Sequence, residues 1–158
     1  MRSTKGFTLV EILIVVVILG ILAAIVIPQF TDASTEAKTS SLCSDLQSMR
    51  SQIELYKIQH NDNLPGINGV TFEESMTGYT LNDGSLADPQ APGDGVYGPY
   101  LQKLPSNQFI SIAANQNDVT SAATTPAAPD GTSGWIYNTV TGEVKANDTY
   151  DSNVHWSL

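Results

Sequence analysis

Glu11 is the residue whose chemistry is hardest to place. It follows Lys5-Gly6-Phe7-Thr8-Leu9-Val10 and stands near the start of an apolar run that continues to Ile27. An ionised side chain in hydrocarbon costs on the order of 3 kcal/mol or more, so an acid at such a position implies a function and a partner. The partner that fits is a positive charge from another subunit. The remaining titratable groups offer less. His60 and His155 have neither a Ser/His/Asp arrangement nor an H-E-x-x-H spacing, so both are expected at the surface. Cys43 is the single cysteine, which rules out an intrachain disulfide and a C-x-x-C site and suggests a small buried helix residue.

Two acidic groupings suit a hard cation such as calcium: Asp83, Asp88 and Asp94 in one loop, and Asp130, Asn147, Asp148 and Asp151 toward the C-terminus. The same composition is that of solvated turns. Asn147-Asp148-Thr149 also fits the N-glycosylation sequon. No glycine-rich phosphate loop follows a strand, and no pair of carboxylates is cued to converge on a substrate, so an enzyme is not expected and no organic cofactor is implied. The 16 acidic against 7 basic side chains argue against direct nucleic-acid binding.

The elements that position Glu11 follow from hydropathy. Residues 7–27 supply roughly 31 Å of helix at about 1.5 Å each, close to the thickness of a bilayer core. Arg2 and Lys5 precede the run and no basic cluster follows it, which orients the N-terminus to the cytoplasm and the rest outside. A secretory signal peptide cut near Leu22-Ala23-Ala24 is the alternative. Against it, Thr8 and Glu11 interrupt the chain where such a peptide should be becoming apolar, and amphipathic helical patterning continues past Pro28.

Gly6-Phe7-Thr8-Leu9-Val10-Glu11 with the following apolar run resembles the class III signal of type IV pilins and type II secretion pseudopilins. The resemblance implies that a prepilin peptidase cuts between Gly6 and Phe7, retains the apolar segment and methylates the new Phe7 amine. Arg2 and Lys5 would leave with the leader. The new α-amino group has an ordinary pKa of about 8 and supplies a cation at the depth of Glu11. In a low dielectric the two attract strongly, so Glu11 can select a neighbour's Phe7 in register; pairing within one helix remains open. The resemblance further implies that the helix between Gly20 and Pro28 extends or melts inside a filament. A simple kink at Pro28, which has no N–H, is the other reading.

Beyond Pro28, Ala33, Ala37, Leu42, Leu46, Met49, Ile53 and Tyr56 recur mostly at steps of four and three, predicting one apolar face of a helix that ends near His60. Asn61-Asp62-Asn63-Leu64-Pro65-Gly66 stops it. Residues 79–99 read as a surface loop, 109–113 as a strand and 121–133 as irregular chain. Residues 134–138 and 143–147 form the strongest hairpin, turning at Thr141-Gly142. Trp135 and Tyr137 share one face and are assigned to the core. Leu104-Pro105 ahead of Phe109 is similar to a segment of type II major pseudopilins.

The expected fold is α+β: a long N-terminal helix, half membrane stalk and half amphipathic, packed on a small C-terminal antiparallel sheet. The divisions are a leader at 1–6, an apolar assembly helix at 7–30, an amphipathic helix at 31–60 and a loop-rich head at 61–158. By resemblance the chain is a subunit of a homo-oligomeric pseudopilus supporting protein secretion. Its expected partners are prepilin peptidase, an inner-membrane assembly platform and minor pilins or pseudopilins. Its expected location is the inner membrane, with the head periplasmic, and then the filament. A type IV pilin for adhesion, motility or DNA uptake is the neighbouring possibility. A membrane-anchored periplasmic binding module, with Trp135 and Tyr137 exposed as a ligand platform, is the alternative from another class.

Overall fold

Residues 9–27 are rich in Val and Ile, which are indifferent helix formers in water. In hydrocarbon the backbone must satisfy its own hydrogen bonds, and a helix does so within one segment. The computed structural model describes residues 6–88, 95–126, 128–150 and 155–158. Its first element, α1, is one helix over Leu9–Gln59, uninterrupted at Pro28. The chain divides into two units, Met1–Ala37 and Lys38–Leu158, and α1 contributes to both.

In the first unit every large apolar side chain from Phe7 to Phe30 is exposed. The segment's mean hydropathy reaches 3.3 over 18 residues, so α1 is long and apolar enough to cross a membrane. Ala33 and Ala37 are exposed as well, so the buried stripe begins later than the periodicity predicts.

In the second unit the stripe behaves as expected. Leu42, Leu46, Met49, Ile53 and Tyr56 are buried, and each contributes roughly 2 kcal/mol by leaving water. The helix ends where the breakers begin: Asn61 and Asp62 adopt φ of 52° and 63°, and the Asp62 N–H returns to the Lys57 carbonyl at 2.9 Å. Cys43 lies off the stripe and is exposed, contrary to expectation.

A second helix, α2 (Phe72–Thr77), was not expected. Thr71 caps it, its hydroxyl accepting from the Glu74 N–H at 3.2 Å while the Glu74 carboxylate accepts from the Thr71 N–H at 2.9 Å. Those bonds hold the Glu74 carboxyl below the ordinary range, backbone contribution first. The signature is Thr-x-x-Glu before an apolar residue.

The strands are β1 (Thr80–Leu81), β2 (Val96–Tyr97), β3 (Val119–Ala122), β4 (Trp135–Asn138) and β5 (Val144–Ala146). β1 and β2 form an antiparallel pair inside the stretch expected to be loop. The hairpin is as expected: β4 and β5 run antiparallel with Trp135 opposite Ala146. The third strand is the departure, because β3 joins β4 in parallel, making the small sheet mixed with the order β3-β4-β5.

Residues 109–113 form no strand. Asn107 captures this segment: its Oδ1 accepts from the Phe109 N–H at 3.0 Å and its carbonyl from the Ile110 N–H at 3.2 Å, closing a turn that outcompetes extension. Phe109 instead packs its ring against Tyr150 and His155. All four residues of β4 are buried, with Trp135 and Tyr137 in the same cluster as the α1 stripe. The Trp135 indole N–H donates to the Pro105 carbonyl at 2.9 Å, which gives the Leu-Pro segment a structural purpose. Burial of both rings rules out the exposed aromatic platform.

Candidate functional site

The first turn of α1 is built by the same device as α2. Thr8 precedes the helix and Glu11 is its third residue. The Glu11 Oε2 accepts from the Thr8 N–H and the Thr8 hydroxyl, both at 2.7 Å, and the Glu11 N–H donates to the Thr8 Oγ1 at 3.2 Å. Thr8-x-x-Glu11 is itself the sequence signature of a capping box, a signal that the charge of the acid masks. It matters chemically that both donors converge on Oε2. Among the described residues Oε1 has no hydrogen-bond partner, so the carboxylate is oriented while one oxygen stays available.

Between Phe7 and Thr31 Glu11 is the only charged side chain. Gly6 and Phe7 precede the helix, and Phe7 is 84% exposed. Gly20 sits within α1 with nothing within 4 Å of where a Cβ would stand. Around Pro28 the helix is supplemented by side chains: the Thr31 hydroxyl donates to the Ile27 carbonyl and the Thr35 hydroxyl to the Thr31 carbonyl, both at 3.1 Å. The Ala24 carbonyl, which an N–H at position 28 would normally meet, receives none from proline.

Among the described residues the acidic side chains do not gather into a cation site. Asp94 and Asp151 lie outside the described residues, and among those described no group of three or more His, Cys, Asp or Glu is placed to hold a metal. Asp83, Asp130 and Asp148 serve turns or the core. The Asp83 Oδ1 accepts from the Ser85 N–H and hydroxyl at 2.9 and 2.6 Å, and the hydroxyl bond is the main reason its pKa is lowered. The Asp130 Oδ1 accepts from the Thr132 N–H and hydroxyl and from the Asn147 amide. Asp88 is exposed. Asn147 itself is fully buried, so the sequon is closed to glycosylation in the folded chain.

Asp148 is also fully buried and, among the described residues, accepts three N–H bonds: from the Asn107 amide at 2.9 Å, from the Tyr150 backbone at 3.2 Å and from His155 Nδ1 at 2.8 Å. His155 is 2% exposed, not a surface residue, and its Nε2 lies 3.5 Å from the Thr39 hydroxyl on α1. His60 is likewise buried. It stacks on Tyr56 at 3.7 Å, with Nδ1 2.8 Å from the Tyr56 carbonyl and Nε2 2.9 Å from the Thr80 hydroxyl. Desolvation lowers its pKa. Both histidines are buried and fasten loops to α1.

Comparison with known proteins agrees with the weight these observations place on the N-terminus. The model of the prokaryotic N-terminal methylation motif matches residues 1–27. The type II secretion system core protein G of Klebsiella pneumoniae is 32% identical over 111 residues, covering 70% of this chain and 73% of that protein. That of Dickeya chrysanthemi is 32% identical over 109 residues, covering 68% of this chain and 65% of its own length. The type IV major fimbrial protein FimA of Dichelobacter nodosus is 37% identical over 92 residues, covering 56% and 59%. No solved structure matches the chain significantly. A methylation motif at the capped start of an exposed apolar helix, together with this likeness over 70% of the chain, means that the chain belongs to the type II secretion system core protein G family of pseudopilins.

Proposed function

We propose that this chain is a structural subunit, not an enzyme, and that it polymerises through residues 7–30 into a pseudopilus serving protein secretion. The observation that carries this reading is the apolar surface of α1, exposed from Phe7 to Phe30 and interrupted by a single oriented carboxylate. Prepilin peptidase removes residues 1–6 and methylates Phe7. Before assembly the subunit is anchored in the inner membrane with its N-terminus cytoplasmic and its second unit periplasmic. An assembly platform and minor pseudopilins are its partners.

The capping box gives the assembly step a physical sequence. Two donors from Thr8 offset part of the cost of holding Glu11 in the membrane, so the acid is tolerable in a lone subunit. Oε1 then accepts the cationic Phe7 amine of a neighbour, and in a low dielectric that contact outweighs any other polar partner available at that depth. Lateral contacts of the apolar faces repeat the same non-closing interface and generate a fibre. Pro28 and Gly20 locate the segment that yields when the helix is stretched, since each weakens the local backbone ladder.

The test is mass spectrometry of the membrane-extracted protein together with Glu11→Gln. The reading expects a mature N-terminus at methylated Phe7, and a variant that is processed but absent from sedimented filaments. A mature N-terminus elsewhere, or wild-type assembly of Glu11→Gln, overturns it. The fimbrial likeness favours a type IV pilus as the second reading; deletion that abolishes surface pili while leaving secretion intact would select it.

A further inference from the structure

Among the described residues no further strand pairs with the outer edge of the parallel strand β3. β3 is the terminal strand in the order β3-β4-β5. The Trp135 N–H donates to the Asp118 carbonyl at 3.0 Å and the Thr139 N–H to the Ala122 carbonyl at 2.9 Å, so the even-numbered residues face β4. In a parallel ladder the N–H and C=O of one residue point the same way and alternate along the strand. Val119 and Ser121 therefore direct their N–H and C=O groups away from β4, and no backbone bond among the described residues meets them. Proteins usually protect such an edge with Lys, Pro, a bulge or a cover. Val119-Thr120-Ser121-Ala122 contains neither Lys nor Pro.

Beside β3 lies a groove of about 510 Å³, lined by residues 118–121, by Gly66 and residues 70–73, and by Thr132 and Ser133 ahead of β4. Clefts of this size hold ligands. The capping box of α2 fixes the turn that contributes Thr71 to Glu73 to this lining. Two carboxylates, Glu73 and Asp118, line the groove with no Lys or Arg, and neither has an ion-pair partner among the described residues.

We infer that this groove receives an extended segment of a different protein, carrying Lys or Arg, which adds a strand to the open edge of β3. Backbone bonds to Val119 and Ser121 give the affinity, and the cationic side chain meeting Glu73 and Asp118 gives the preference. A second copy of this chain is a poor occupant. Its net charge is −9, β1 and β2 carry no charged residue, and Lys145 of β5 is already paired with Glu143 at 3.3 Å. The groove lies wholly within Lys38–Leu158, so the inference stands whether or not the filament reading holds.

The test uses the full chain in detergent micelles, amide-resolved NMR and the synthetic peptide acetyl-Thr-Lys-Val-Lys-Val-Thr-amide. Saturable shifts and slowed exchange at the Val119 and Ser121 amides are expected. Binding should weaken at least about tenfold when the peptide's Lys and Val nitrogens are methylated, or when Glu replaces both Lys at low salt. Ser121→Pro removes an outward N–H without touching the β4 ladder and should abolish binding while the Trp135 indole signal stays in place. The paired variant Glu73→Gln with Asp118→Asn should lose the preference for the Lys peptide over the Glu peptide. No shift at Val119 and Ser121 with millimolar peptide, equal binding of the N-methylated peptide, or equal binding of the Glu peptide would each overturn the inference.

Discussion

Replacing His155 with Ala removes a group that the sequence assigns to solvent and the structure assigns to the core. The ring donates to Asp148, which is fully buried and, among the described residues, retains the Asn107 amide and the Tyr150 N–H once His155 is gone. A charge-assisted hydrogen bond contributes about 1.5–3 kcal/mol, and the ring also packs on Phe109 at 4.4 Å. The expected loss is about 3 kcal/mol, equivalent to roughly 6–12 °C in Tm for a chain of this size. Urea or thermal unfolding of the full chain in micelles, followed by near-ultraviolet dichroism, measures it. Adding Asp148→Ala should cost much less in the His155→Ala background than in the wild type, because the two side chains share one bond. A loss below about 0.5 kcal/mol, typical of a surface substitution, would refute the buried assignment.

Gly134→Ala should be more damaging than its size suggests. A Cβ there collides with the Gln116 carbonyl, the acceptor for the Asn107 N–H, so the two backbones must separate; a loss of about 3 kcal/mol or more in the same unfolding assay is expected. His60 makes stability fall with acid. Its folded pKa is depressed by burial, so its contribution is complete above the ordinary value of 6.5 and is lost as pH falls from there through the depressed value. The urea midpoint of wild type should drop more between about pH 7 and pH 5 than that of His60→Gln. Tyr137→Phe should be neutral or stabilising by about 1 kcal/mol, since the phenol is buried without a hydrogen-bond partner among the described residues and burial pushes its pKa upward. A clear loss of stability in that variant would show that the hydroxyl has a partner.

The elements with a strong period were legible and those with long-range partners were not. The stripe from Leu42 to Tyr56 announces its own burial, and another step of four reaches His60, a cue that its polarity concealed. His155 offered no such cue, because Asn107 and Thr39, which fix its surroundings, lie far away in sequence. The β4–β5 hairpin was visible through its aromatics and its Thr-Gly turn. β3 was not, because a short edge strand reading Val-Thr-Ser-Ala is half exposed and takes its register from β4 alone. Two capping boxes, Thr8 to Glu11 and Thr71 to Glu74, were written in the sequence and overlooked. The first holds the Glu11 carboxylate in place within its own helix, and the proposed assembly step uses its remaining oxygen to meet the Phe7 amine of another subunit.

Helical reconstruction of the assembled filament measures that claim directly, through the distance between the mature Phe7 nitrogen of one subunit and the Glu11 carboxylate of the next. The account predicts ion-pair contact within about 4 Å, with Thr8 still bonded to Glu11 in the same subunit. A Glu11 side chain facing lipid, or paired only with the Phe7 nitrogen of its own helix, would contradict it.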